Sequence, residues 1–394
     1  MPFRCIVDVN DKYYNSGIQT FLEGFDFIIQ AFFYLCEMNS AADTDNVSER
    51  KSLLGLAWKI FLPVAIGLGV VAWLFHREFD SAVWDAVRFT PAAIGGIFLA
   101  CVFMLGRDFG LSWRFRVLTD RDLSWLKAIK ISYLCEFTSC VTPSAVGGSA
   151  LSMVYMHREG IGLGRATTIT MSTLFLDELF FVVFLPVVML IVPYSQLFGF
   201  DRSSFTLGLR AVFWIIYIGL TLWTLLLYLG IFVKPHAIRR GLNRLFRMRW
   251  LRRWSAVVEE LGMNMEMTGR DLRHRSLAWW LQAFAATSFS WMSRFLVVCA
   301  LFIGFAPGAD QMMVLARQFV VWVILIVSPT PGGAGVSEWL FTTYYGDLIS
   351  GEGMALVLAL FWRIISYYSY LIVGACILPA WIRQGFRNRR NKKI

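Results

Sequence analysis

Six stretches of this chain, near residues 54–75, 88–106, 167–192, 208–232, 276–303 and 353–379, are apolar over close to the length a helix needs to cross a bilayer. A hydrocarbon core of about 30 Å takes roughly 20 residues at helical rise. Backbone in lipid must satisfy its own donors and acceptors, which leaves helices or closed barrels, and runs this long point to helices. Of 394 residues 57% are hydrophobic and only 16% charged, which argues against an ordinary soluble domain. The expected fold is an all-α integral membrane protein with its membrane domain over residues 54–383. A polar cytoplasmic region is expected at 1–53 and a basic cytoplasmic tail at 384–394.

The N-terminus lacks a basic region leading into an apolar core and a small-residue cleavage site, so the first span is expected to act as the anchor. Residues 1–37 differ in texture from the rest, and Met38 opens the polar leader MNSAADTDNVSERK. Translation from Met38 is therefore an expectation. The net charge of +10 is carried by segments between apolar runs and by the tail RQGFRNRRNKKI, which points to topology and lipid headgroups, not to nucleic acid. The arginines of 107–130 and 234–275 place both segments in the cytoplasm, while the acid-leaning loops at 76–85 and 344–353 belong outside. Both termini are then cytoplasmic, and a bacterial inner membrane is the expected setting. Ile238 to Leu261, with apolar residues three to five apart and arginines between, predicts one amphipathic helix lying on the cytoplasmic leaflet.

Two further apolar regions, 126–157 and 312–346, are each split by a proline and glycine cluster, TPSAVGG and PTPGGAG. Treating either as a single crossing puts a basic segment on the wrong side, so each is expected to be a re-entrant hairpin, the two entering from opposite faces. Each half of the chain then reads span, span, broken hairpin, span. Pro143, Gly147 and Gly148 in the first half align with Pro331, Gly332, Gly333 and Gly335 in the second. Paired interrupted segments in corresponding positions are the mark of an inverted repeat with a site near the midplane. Broken backbone must be buried in protein or line water, so the tips are expected to meet inside the bundle, either around a ligand or as tight packing turns.

Ionisable residues within apolar sequence are expensive unless paired or functional. They include Glu136, Asp177, Glu178, Arg294, Arg317, Glu338 and Arg363. Asp177 and Arg363 occupy similar places after the two breaks, so a pseudo-twofold can bring them together, as a structural pair or as a gate. Glu338 sits on the first turn after PGGAG, as a helix cap or as a proton or cation site; Glu136 approaches the first break, as a similar site or as a partner for freed backbone amides. Arg158 and Arg294 offer forked donors to phosphate oxygens, although Arg158 can equally anchor a helix end at the interface.

The four histidines are dispersed, the seven cysteines show no CxxC spacing, and no phosphate-binding loop, nucleophile elbow or dinucleotide fingerprint occurs. Neither catalytic residues, nor a metal, nor a cofactor is expected, and the chain is not read as an enzyme.

TPSAVGGSA, the span bearing Asp177 and Glu178, SPTPGGAGVSE and the later FWRII together resemble the transmembrane domain of lysylphosphatidylglycerol synthases, which also occurs in stand-alone flippase-like proteins. The resemblance covers roughly residues 54–383, with PGGAGVSE its most specific part. It implies a flippase-like transmembrane domain, with Pro143, Gly147 and Gly148 in the first hairpin motif and Pro331, Gly332, Gly333, Gly335 and Glu338 in the second. It implies membrane lipids as partners and translocation of a lipid with an anionic or modified headgroup between leaflets. The alternatives are transport of small soluble ions or solutes, and a non-transporting scaffold for a lipid-modifying enzyme. Such an enzyme, or a second copy of the chain, is the further partner considered.

Overall fold

A computed structural model describes residues 89–141, 147–198, 204–245, 255–272, 274–328, 330–349, 353–378 and 381. Among the described residues there is no strand. The span expected at 54–75, the leader at Met38, Pro143 and the basic tail lie outside them. Five helices are long and apolar enough to cross a membrane: α1 (Pro91–Leu118), α4 (Leu163–Ile191), a helix whose apolar part is Gly208–Val233, α8 (Leu277–Phe305) and α11 (Met354–Leu378). The third of these is α5, which begins at Ser204. Between them lie α2 (Trp125–Val141), α3 (Gly147–Arg158), α6 (Pro235–Leu245), α7 (Ser255–Leu272), α9 (Gln311–Leu325) and α10 (Val336–Tyr345).

The first of these spans is longer than the sequence predicts. Thr90 caps it by accepting a hydrogen bond from the Ala93 amide at 3.2 Å, and Pro91 sits in the first turn, where its missing N–H costs nothing. No breaker follows until Thr119, so the helix runs through LGRDFGLSWRFR and carries Arg107, Asp108 and Arg114 with it. This corrects the end of the span, expected near residue 106. Arg107 and Arg114 are buried, with 4% and 5% of their surface exposed, and each has a carboxylate partner that repays its removal from water.

Helices α1 and α8 pack closely through small residues. A Cβ on Gly96 would lie 2.7 Å from the Ala300 carbonyl oxygen and from the Gly304 Cα, and one on Gly110 would lie 2.9 Å from the Ser290 backbone nitrogen. Contact partners fall along α8 as they rise along α1, so the two run antiparallel. With lipid tails as apolar as leucine, such close approach supplies the dispersion energy that holds helices together in a bilayer. The outer side of α1 presents Ile94, Phe98, Leu105 and Phe109, all exposed and suited to acyl chains.

The ends of the split regions are fixed by polar contacts. Arg165, at the start of α4, donates to the Thr119 carbonyl at 2.8 Å and to Asp120 at 2.9 Å, while Lys127 at the start of α2 approaches Glu159 after α3 at 3.4 Å. In the second region, Tyr345 at the end of α10 donates to the Val314 carbonyl in the first turn of α9 at 3.2 Å and accepts from Gln318 at 2.7 Å. Helix α2 also touches the turn Pro331–Gly333, and Tyr367 donates to the Cys140 carbonyl near the end of α2 at 3.1 Å.

The amphipathic helix expected over Ile238 to Leu261 is not one element. The chain forms α6 and α7, which pack against each other, with 246–254 outside the described residues. Their polar faces pair: Arg239 of α6 donates to Glu266 of α7 at 3.2 Å, a carboxylate also held from within α7 by Arg270 at 3.2 Å. A helix that finds its counter-charges on a neighbour has reason to fold back.

Candidate functional site

Polar side chains from α1, α2, α8 and α11 converge in the interior of the apolar bundle. Arg107 of α1 donates through Nη2 to Glu136 Oε2 of α2 at 2.7 Å and through Nη1 to the Tyr370 hydroxyl of α11. Tyr370 donates in turn to Asp108 Oδ1, and Tyr133 donates to Asp108 Oδ2 at 2.8 Å. Ser290 of α8 ties the same place on α1 by donating to the Arg107 carbonyl at 3.1 Å. Every charge of this cluster except Arg294 is thus both paired and hydrogen-bonded, the arrangement that makes buried ions tolerable.

Arg294 of α8 is the exception. Its nearest carboxylate oxygen is Glu136 Oε2 at 3.7 Å, the oxygen already held by Arg107. Its Nε is buried without a hydrogen-bond partner, and its guanidinium lies 4.0 Å from the centre of the Trp322 ring and 5.9 Å from that of Trp291. The Trp322 indole nitrogen is also buried and unbonded. Two idle donors side by side, walled by aromatic faces, offer hydrogen bonds and positive charge to an oxyanion.

One step along α2, the second broken segment supplies another ion pair. Pro331–Gly333 form a single tight turn with Gly332 at φ 56°, Gly333 at φ 72° and Gly335 at φ 82°, left-handed values that favour glycine. Glu338, in the first turn of α10, accepts from the Gly335 amide and the Ser337 hydroxyl, each at 2.8 Å. Its other oxygen takes Arg363 Nε at 2.7 Å. Arg363 Nη1 also donates to the Gly332 carbonyl at 3.1 Å, and its guanidinium lies 3.8 Å from the Tyr367 ring centre. The carboxylate therefore does what the capping reading requires, and it also pins α11 to the turn.

Asp177 and Arg363 are not brought together. Asp177 instead takes Arg114 of α1 at 2.5 Å and the Trp291 indole of α8 at 2.8 Å. Glu178 accepts from Thr224 of α5 at 3.3 Å. Arg158 lies away from the cluster, with its guanidinium 3.9 Å from the Trp381 ring centre and a 3.0 Å hydrogen bond to the Trp381 carbonyl. Gly147 and Gly148 are the first two residues of α3.

Glu136, Arg294, Glu338 and Arg363 were singled out by sequence; Arg107, Asp108, Arg114, Tyr133 and Tyr370 were not. For the first three the available signal was the absence of any helix breaker between Pro91 and Thr119. The two tyrosines carry no signal of their own, since aromatic residues fill the chain.

Comparison with known proteins follows the same lines. A UPF0104 membrane protein of Archaeoglobus fulgidus is 22% identical over 324 residues, covering 79% of this chain and 94% of that relative. No solved structure matches. The profile of the lysylphosphatidylglycerol synthase TM region matches residues 60–374, which include all five spans but the last four residues of α11, both broken segments and the buried cluster. The chain is therefore a membrane protein that belongs to the family of the lysylphosphatidylglycerol synthase TM region.

Proposed function

We propose that this protein translocates a lipid with an anionic or modified headgroup between leaflets, and that it does so without enzyme chemistry. The observation that carries the reading is the Arg107, Glu136 and Arg294 cluster, joining α1, α2 and α8 inside otherwise apolar helices. Charge at that depth is costly and serves as a polar path for a headgroup whose acyl chains remain in lipid. Small-solute transport would use the same charges, but the family match and the lipid-facing outer side of α1 favour a lipid cargo.

The connectivity supports two re-entrant hairpins. Helices α1 and α8 are antiparallel, and Arg275 just before α8 bonds Asp120 just after α1, so α1 ends on the face where α8 begins. The two crossings α4 and α5 lie between them and cancel. Helices α2 and α3 then make no net crossing, in keeping with Arg165 bonding Asp120. In the second half α10 returns to the first turn of α9. Spans α1 and α8, equivalent in an inverted repeat, also form the antiparallel pair that an in-plane twofold demands. With the basic Asp120 face cytoplasmic, both termini lie in the cytoplasm, and a bacterial inner membrane suits the arrangement.

The test is a leaflet assay in reconstituted vesicles carrying fluorescent phosphatidylglycerol, aminoacylated lipid or polyprenyl phosphate, with an impermeant quencher outside. Wild-type protein should expose inner-leaflet label faster than empty vesicles for at least one of them, and Arg294→Gln should abolish the gain while remaining folded. No acceleration for any of the three lipids would overturn the proposal.

A further inference from the structure

We infer that Glu178 is a proton-binding site inside the membrane and that its proton couples lipid movement to a proton gradient, the second part resting on the translocator reading above. The carboxylates within the bundle differ in their partners. Asp108 and Glu136 face Arg107, Asp177 holds Arg114, and Glu338 holds Arg363. Glu178, near the middle of the 29-residue α4, has no cation partner among the described residues. It lies in a seam where α4 and α5 run antiparallel. Phe175 and Leu227 share an apolar cluster on one side of it, and Tyr217 reaches the Val182 carbonyl at 3.5 Å on the other.

The charged groups on the helices packed against α4 are turned elsewhere. Arg294 of α8 faces Glu136, Arg317 of α9 holds Asp347, and Arg270 of α7 holds Glu266. Asp271 of α7 meets α4 far from the seam, at Thr168, while on α3 His157 bonds the Ile161 carbonyl and Arg158 that of Trp381. Helix α5 presents the Thr224 hydroxyl and the Trp223 indole, both neutral, and the adjacent Asp177 adds a charge of the same sign. A carboxylate without a counter-charge in hydrocarbon is costly, and binding a proton removes that cost. Thr224 suits both forms of the acid. Its hydroxyl has one proton and lies 2.8 Å from the Leu220 carbonyl, which can only accept, and 3.3 Å from Glu178 Oε2. With Glu178 neutral, the acid donates to Thr224 and Thr224 keeps its bond to Leu220. With Glu178 charged, Thr224 turns its proton to the carboxylate and leaves the Leu220 carbonyl to the helix.

The proton leaves to water when the seam opens to one side of the membrane, and uptake from the other side reverses the sequence. Its state is felt at the cluster that meets the headgroup. Asp177, the adjacent residue, takes the Trp291 indole, and the Trp291 ring centre lies 5.9 Å from the Arg294 guanidinium. A second negative charge on α4 therefore acts on the contact that holds α8 beside Arg294.

Infrared difference spectroscopy of the full-length protein in lipid, titrated from about pH 5 to about pH 10, tests the proton site. Wild type should show a carboxylic acid carbonyl band that disappears as the pH rises and that Glu178→Gln lacks. Glutamine keeps the size and hydrogen bonding of the neutral acid, so this variant should fold. Thr224→Val should shift the band, because the acid loses the oxygen it donates to. No such band, a band that Glu178→Gln retains, or a band that Thr224→Val leaves in place overturns the site. Coupling is read in the vesicle leaflet assay with the membrane potential clamped by potassium and valinomycin. With one proton per lipid, a gradient of one pH unit should shift the steady-state ratio of label between leaflets by about tenfold, and Glu178→Gln should show no shift. A wild-type ratio indifferent to the gradient overturns the coupling. Vesicles in which no lipid moves at all refute the translocator reading and not the proton site, which the infrared titration decides by itself.

Discussion

Among single residues, Glu136 has the most to lose. Among the described residues it is the one carboxylate facing both Arg107 and Arg294, so removing its charge leaves Arg294 without a counter-charge and Arg107 with only Asp108 at 3.8 Å. Breaking a buried pair costs about 3–5 kcal/mol because the survivor keeps its desolvation penalty. Glu136→Gln should therefore lower the thermal midpoint in detergent and abolish translocation. The double change Arg107→Gln with Glu136→Gln should recover part of the stability and none of the transport. A double variant no more stable than Glu136→Gln alone would show that the pair is not coupled as the geometry requires. Glu136 and Arg294 were legible from sequence because an ionisable residue in an apolar run is conspicuous. Their partner Arg107 was not, because a positive charge near a span's end reads equally well as a loop signal.

The second broken segment and the α1–α8 contact depend on positions with no room for a side chain. A Cβ at Gly332 would lie 2.1 Å from the Tyr367 ring, at a backbone φ of 56°. Left-handed backbone costs an L-residue about 1–2 kcal/mol, and overpacking adds about 1–3 kcal/mol. Gly332→Ala should thus melt lower, and it should weaken the Arg363 hold on the turn, read as faster hydrogen exchange at the start of α10. Gly110→Val should push α1 off α8 at Ser290 and break its bond to the Arg107 carbonyl, costing about 1–3 kcal/mol by overpacking. An unchanged midpoint for Gly110→Val would mean that the two helices do not touch there. The turn glycines stood out in the sequence; Gly110 did not, because a glycine inside an apolar helix looks alike whether it faces lipid or a neighbour.

Across the whole molecule, the polar contacts sort the loops into two faces. Asp120, Glu159 and Arg275 share one, and Asp347, held by Arg317 at 2.7 Å, marks the return of the second broken segment to the side where α9 begins. In a cysteine-free background, single cysteines at Arg121, Gly160 and His274 should react with an impermeant thiol reagent from one side of the membrane. A cysteine at Asp347 should react only from the other. Labelling of Gly160 from the Asp347 side would make α2 and α3 a net crossing and remove the basis for the inverted arrangement.

The sequence by itself determined that the chain lives in lipid, where five of its crossing helices lie and that the backbone turns at Pro331–Gly333, because length, hydropathy, proline and glycine act locally. It also singled out Glu338, as a cap or as a proton or cation site, since the carboxylate and the Gly335 amide it accepts from are neighbours in the chain. Only the tertiary structure decided which charges meet. Asp177 went to Arg114 and Arg363 to Glu338 because the nearest counter-charge is set by how helices distant in sequence pack, and in a medium that solvates no ion the nearest partner wins.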